Sequence, residues 1–180
     1  MRFAVLGSGS QGNGTLIASD STYVLVDCGF SLRETERRLV RLGISPHQLS
    51  AILVTHEHAD HVHGVGLLSR RYNLPVYMSR GTQRGMRKPL EPAGYVAGGE
   101  TLQIGALSIS VTRVAHDAQE PTQYVFSDGQ RRFGLLTDLG SYCDGVLHSY
   151  RDLDALMIES NHCRDMLARG HYPYFLKQRV

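Results

Sequence analysis

Few cysteines, no long apolar run and no excess of one charge set the first limits on this chain. Its three cysteines, Cys28, Cys143 and Cys163, are odd in number, widely spaced and never in a CxxC pair. That argues against a disulfide scaffold and against a cysteine-based zinc finger. Apolar stretches stop far short of the roughly 18 residues a membrane-spanning helix needs. The opening MRFAVLGSGS has one arginine and a short apolar run before glycine and serine, less than a secretory signal requires. A cytoplasmic, reducing setting without membrane association is expected. Lys and Arg number 19 against 17 Asp and Glu, a net charge of +2; this tolerates a polyanionic substrate without requiring one. No low-complexity tract or flexible linker interrupts the 180 residues, 42% of them apolar, enough for one domain with its own core.

What is present reads as strands first. RFAVLG (2–7), TLIAS (15–19) and TYVLVDCG (22–29) are β-branched and apolar, separated by Gly, Ser, Asn and Asp. Ser31 stands three residues before Glu34, a capping-box spacing, and Leu32, Leu39 and Leu42 share a helix face that ends at Gly43. AILV (51–54) predicts a short buried strand, and Asp60 is a plausible N-cap for a helix through His61, Val65, Leu68 and Tyr72 to Asn73. PVYMS (75–79) predicts another strand, then a basic helix or loop over 80–88 and a turn-rich EPAGYVAGGE. TLQI (101–104), LSISVTRV (107–114), TQYVFSDG (122–129) and RRFGLLTD (131–138) alternate like antiparallel strands, with Asp128-Gly129 as a hairpin turn. A helix around 141–149, a strand over 154–160 and a helical tail complete the pattern. It describes a single domain over 1–180, with halves of about 1–100 and 101–180.

GSGSQG (7–12) matches the dinucleotide-binding pattern GxGxxG. That chemistry needs the loop to open a helix, whose N-terminus receives the pyrophosphate. Here the loop leads into another strand, so a glycine-rich turn is the better reading, with Ser8 and Asn13 as polar groups at the edge of a pocket.

THEHADH (55–61) and His63 gather four of the chain's nine histidines. His56 and His58, two apart in an extended segment, project to one side. Asp60 and His61 follow where the chain turns into a helix and can point back to the same volume. Imidazoles with a carboxylate suit zinc, iron or manganese. Glu57 is expected to face away from the histidine pair, and His63 to lie solvated on the helix.

This cluster after an apolar strand resembles the signature of the metallo-β-lactamase superfamily, whose fold is an αββα sandwich of two similar halves. GSGSQGNGTLI, THEHADHVHGVG, HDAQEP, QYVFSDG, TDLG and ALMIESNH, in that order along essentially the whole chain, resemble the YycJ (WalJ)-like subgroup closely. Its members are regarded as cytoplasmic metal-dependent exodeoxyribonucleases related to the ribonuclease Z and ribonuclease J branches. The resemblance implies an α/β (α+β) sandwich and two divalent ions, zinc, manganese or iron. His56, His58 and His116 would hold the first ion, Asp60 and His61 the second, and Asp138 would bridge them, with Asp60 part of the catalytic machinery. Asp27, in the early VDCG turn, would orient a ligand from behind. Glu159 and His162 resemble an acid and a histidine placed near the scissile phosphate for a proton relay, although the aspartate usual after that histidine is Cys163 here. The implied substrate is DNA. Arg70 and Arg71, with Arg80, Arg84, Arg87 and Lys88, form the strongest basic stretch and suit a phosphate backbone; a solvated face is the plainer alternative.

Relatives of the subgroup continue beyond a stretch like Tyr172-Pro173-Tyr174-Phe175-Leu176-Lys177-Gln178-Arg179-Val180 into Gly-His-Leu-Ser and Ala-His-Leu-Ser segments. The second of these supplies a seventh ligand, to the second metal. The expectation is therefore a sandwich whose second half is incomplete, with one metal held firmly. A fragment is the favoured account. A short variant using His63, His162 or His171 as substitute ligand, and completion by a partner chain, stay open. Hydrolysis of a small thioester, lactam or cyclic phosphodiester is the alternative activity, and a non-catalytic metal-stabilised interaction domain the alternative class.

Overall fold

The computed structural model describes residues 1–159, 166, 169–171 and 173. Strands β1 (Arg2–Gly7), β2 (Gly14–Ser19) and β3 (Thr22–Val26) form an antiparallel meander. The expected turn at GSGSQG joins the first two, with Gly9 and Gly12 at φ 124° and 147°, where a side chain is strongly disfavoured. Strands β4 (Ala51–Leu53), β5 (Val76–Met78) and β6 (Gly94–Tyr95) then add in parallel to complete a six-stranded sheet. Parallel neighbours need crossovers. These are α1 (Leu32–Arg41), α2 (Ala59–Val62) with α3 (Val65–Tyr72), and α4 (Arg80–Gly85).

The second sheet has β7 (Thr101–Ile104), β8 (Leu107–Arg113), β9 (Thr122–Ser127) and β10 (Arg132–Leu136) antiparallel in sequence order. After α5 (Asp144–Ser149), β11 (Ala155–Ile158) pairs parallel to β10. Among the described residues no helix is long and apolar enough to cross a membrane.

Strand β3 shows why the layers stack. Val24 and Val26 join Ile17, Leu53, Ile109, Tyr124 and Phe126 in the core between the sheets. Leu25, facing the other way, packs with Leu39, Leu68, Ile52 and Val54 in the core under the helices. A central strand buried on both faces is apolar along its buried run, as Val24-Leu25-Val26 is. Fully buried residues such as Leu39 and Leu68 each contribute roughly 1.5–3 kcal/mol by leaving water. Val146 of α5 packs with Val114 and Leu136 on the second sheet's side. The result is the αββα order expected from the motifs.

Three local expectations need correction. The single helix expected after Asp60 is two, α2 and α3, broken at Gly64. A Cβ there would stand 2.2 Å from the Phe30 carbonyl oxygen and 2.8 Å from Cys28 Sγ. The chain thus passes too close to the β3 exit for a continuous helix of ordinary residues. The N-cap of α2 is His58, and Asp60 lies in the first turn. The turn-rich 91–100 segment hides the short β6. Most of the expected helical tail lies outside the described residues. Ser31 caps α1 as expected, its Oγ accepting the Glu34 N–H.

Candidate metal centre

The exits of β3, β4, β8 and β10 share one rim of the sandwich, and each carries part of a polar cluster. Past β4 the chain leaves the sheet as Thr55-His56-Glu57-His58. His56 is fully buried, and its Nε2 stands 3.0 Å from His58 Nδ1. His116, in the loop after β8, brings its Nε2 to 3.3 Å from the same His58 nitrogen. Ligand atoms of His56, His58 and His116 all lie within 4.8 Å of one another, and so do those of His56, His61 and Asp138. His56 is common to both groups.

His61, on α2, is gripped from two sides. Its Nδ1 is 2.8 Å from Asp27 Oδ2, while its Nε2 faces Asp138 Oδ2 at 3.1 Å and Asp60 Oδ2 at 3.7 Å. Asp27 is itself fixed by the Thr55 N–H and hydroxyl, each donating at 2.8 Å. The Asn13 amide nitrogen also stands 2.9 Å from Nε2, so with Nδ1 donating to Asp27 a neutral His61 would turn its Nε2 lone pair into the space shared by Asn13 and Asp138. Asp138 Oδ2 is buried and accepts no hydrogen bond, a costly state for a carboxylate oxygen. A buried carboxylate oxygen opposed to an imidazole nitrogen fits a cation between them, so the donor set suits a divalent metal.

The titration behaviour divides the cluster: His56 and His116 are lowered, whereas His61 is raised between two carboxylates. Burial, with the neighbouring His61, pushes His56 down to about 2 and keeps it a neutral donor. Burial likewise lowers His116. For His61 burial works toward deprotonation, but Asp27 and Asp138 outweigh it and raise the group to about 10. Burial acts to raise Asp138, yet the close approach and charge of His61 bring it below its ordinary value.

Supports lie behind the ligands. Asn13, in the glycine-rich turn, donates from Nδ2 to Asp60 Oδ2 at 3.1 Å, and its N–H donates to the Asp60 carbonyl at 2.7 Å. Glycine is required opposite, since a Cβ on Gly29 would fall 1.7 Å from the Asp60 carbonyl oxygen. Asn13 is therefore buried against the ligand loop, and Ser8 is exposed nearby in sequence. Glu57 turns away from the histidine pair as expected, but it is more than a solvated side chain. Its Oε1 accepts the Gln119 N–H at 2.8 Å and so ties the His56–His58 loop to the His116 loop. The Thr122 N–H donates to the Thr55 carbonyl at 2.9 Å and fastens the same two segments. Glu159 Oε2 accepts the Asp138 N–H at 3.1 Å, and burial together with Asp138 raises the Glu159 carboxyl above its usual range. His162 lies outside the described residues. Arg70, Arg71 and His63 are exposed.

Sequence reasoning missed the roles of Thr55, Glu57 and Asn13 as supports. Asn13 was visible only as one of a run of turn residues, and Glu57 carried no signal beyond its place between two histidines.

Residues 22–176 match the model of the beta-lactamase superfamily domain. Exodeoxyribonuclease YycJ of Bacillus anthracis is 36% identical over 185 residues, which take in 100% of this chain and 70% of that protein. Exodeoxyribonuclease WalJ of Streptococcus pneumoniae serotype 2 is 35% identical over 187 residues, 99% of this chain and 69% of that one. The class B3 di-zinc metallo-β-lactamase LRA-12 from an Alaskan soil metagenome shares the fold with a TM-score of 0.62, at 16% identity over 71% of this chain and 58% of that one. The chain belongs to the metallo-β-lactamase superfamily. Within it, likeness along the whole chain to YycJ and WalJ sets it in the YycJ-like subgroup.

Proposed function

We propose that the chain is a metal-dependent phosphodiesterase acting on DNA, an exodeoxyribonuclease that works from a 5′ end. The observation that supports it most is the pair of donor groups sharing His56, on a chain 36% identical to an exodeoxyribonuclease. His56, His58 and His116 would hold one divalent ion, and His61, Asp138 and Asp60 a second. Zinc, manganese and iron all suit these donors. Such a pair supplies Lewis acidity and a water activated near neutral pH.

The chain's own groups prepare that chemistry. Asp27 fixes the His61 ring, Asn13 holds Asp60, and Glu57 keeps the His116 loop against its partner. Glu159, braced at the Asp138 backbone with its carboxyl raised by burial, is the group we assign to donate toward the departing oxygen. The expected outcome is release of nucleotides from 5′-phosphorylated duplex DNA by the metal-loaded protein. His58→Ala or Asp60→Ala should lower the rate roughly 100-fold or more, since each tenfold is only about 1.4 kcal/mol of transition-state stabilisation. Turnover of a small diester without DNA cleavage would overturn the substrate assignment. Metal binding with no hydrolysis of either would overturn the enzyme reading.

A further inference from the structure

We infer that the segment running from α3 to β6 is a track for the DNA backbone, leading away from the metal centre through Arg84, Arg87, Lys88 and Arg70. The inference rests on the nuclease reading and names the surface that reading leaves open. Residues 61–90 hold six of the chain's 19 lysines and arginines and not one aspartate or glutamate. In a chain of net charge +2, that local excess is not a consequence of overall composition.

The fold places this segment at the rim of the cluster. Gly85, at the end of α4, abuts the metal loop so closely that a Cβ would lie 2.5–2.7 Å from the Glu57 side chain. The start of α4 is tied to the His116 loop, the Gly81 N–H donating to Glu120 Oε2 at 2.8 Å and Ser79 Oγ to the Glu120 carbonyl at 2.7 Å. Five residues on from Gly85, Leu90 reaches α3. A Cβ on Gly66 would meet Leu90 Cδ2 at 3.7 Å and Arg70 Nη1 at 3.4 Å. The loop between these two anchors carries Arg87 and Lys88, with Arg84 just before it, all exposed. The path therefore runs from the metal loop to the Arg70 guanidinium. Six residues span at most about 20 Å, room for several phosphates at about 3.4 Å of axis per strand.

Not every cation of the segment is available. The Arg80 guanidinium lies 4.1 Å over the Tyr95 ring. Arg71 sits beside the Tyr72 hydroxyl, which donates to Glu36. Among the described residues, the ion pairs do not engage Arg70, Arg84, Arg87 or Lys88. Exposed cations strung along one segment and not held in ion pairs attract a polyanion, which releases its own counterions on binding.

The test is fluorescence anisotropy of the metal-loaded protein with a labelled, 5′-phosphorylated phosphorothioate duplex, titrated between 50 and 200 mM NaCl. Wild type is compared with R70Q/R84Q/R87Q/K88Q and with R33Q/R41Q, two exposed cations of α1. The slope of log affinity against log salt should fall in magnitude by about 3.6 in the first variant, at about 0.9 per phosphate contact, and stay unchanged in the second. Thermal denaturation shows whether the first variant folds; if it does not, R84Q/K88Q should lose about half as much slope. An unchanged slope, equal loss in the α1 control, or no DNA binding at all would overturn the track. Cleavage of unmodified DNA is measured in parallel. Cleavage with an unchanged slope sinks the track alone; slope loss without cleavage supports the track and sinks the nuclease reading alone.

Discussion

Asp27 and Asp138 hold one imidazole from opposite sides, and both lie just past a strand in the left-handed region, with φ of 59° and 50°. A non-glycine residue held there stores backbone strain, which persists where the surroundings over-determine it. Removing such a support should cost metal rather than fold. Asp27→Asn should weaken metal binding about 10- to 100-fold, as loss of a ligand-orienting carboxylate typically does, measured by metal titration of a variant whose circular dichroism is unchanged. Glu57→Ala should also weaken the three-imidazole position by freeing the Gln119 N–H. Glu57→Gln, which keeps an acceptor oxygen there, should recover most of the loss. If Gln and Ala behave alike, the hydrogen bond is not what matters. Cys28 gives a different residue-scale expectation. Burial pushes its thiol up to about 11, so alkylation at pH 8 should modify exposed Cys143 and spare Cys28 until the protein unfolds, a difference peptide mass spectrometry reads directly.

At the scale of elements, α2 and α3 show where local reasoning stops. The apolar period through Val65 and Leu68 and the end of the helix at Asn73 were legible, since both follow from the residues themselves. The break at Gly64 was not, because it depends on a carbonyl of Phe30 and a sulfur of Cys28 that only folding brings there. Two neighbouring glycines therefore behave oppositely. Gly64→Ala should destabilise by about 1–3 kcal/mol through overpacking against backbone. Gly66→Ala, where the nearest atom is a mobile guanidinium at 3.4 Å, should gain about 0.5–1 kcal/mol of helix propensity. Thermal melts of the two variants should move in opposite directions.

For the whole molecule, two linked equilibria set stability. A metal bound only by the folded state adds about 2.7 kcal/mol at a hundredfold excess over its Kd, so chelation should lower Tm by roughly 5–10 °C at 2–4 °C per kcal/mol. Acid acts elsewhere. Hydrogen bonds from Arg37 and Arg38 bring Glu34 from 4.5 down to about 2. Its folded-state pKa lies below the unfolded one, so this contribution is present above pH 4.5 and is lost as pH falls from 4.5 through 2. The group is exposed on α1, so added salt should shrink the effect. Glu34→Gln melts at pH 3 and pH 6 check both the sign and the salt dependence.

The sequence by itself determined most element types, the order of the sandwich's layers, the family and the residues that gather at its rim. Periodicity, turn chemistry and a dense histidine motif are local properties, and they survive without coordinates. Only the tertiary structure decided that Asn13 latches Asp60, that Glu57 joins two ligand loops, and that Asp27 and Asp138 face each other across His61. Those contacts link residues 47, 62 and 111 positions apart. No local pattern encodes them, because they exist only when the two sheets pack and bring their strand exits to one rim.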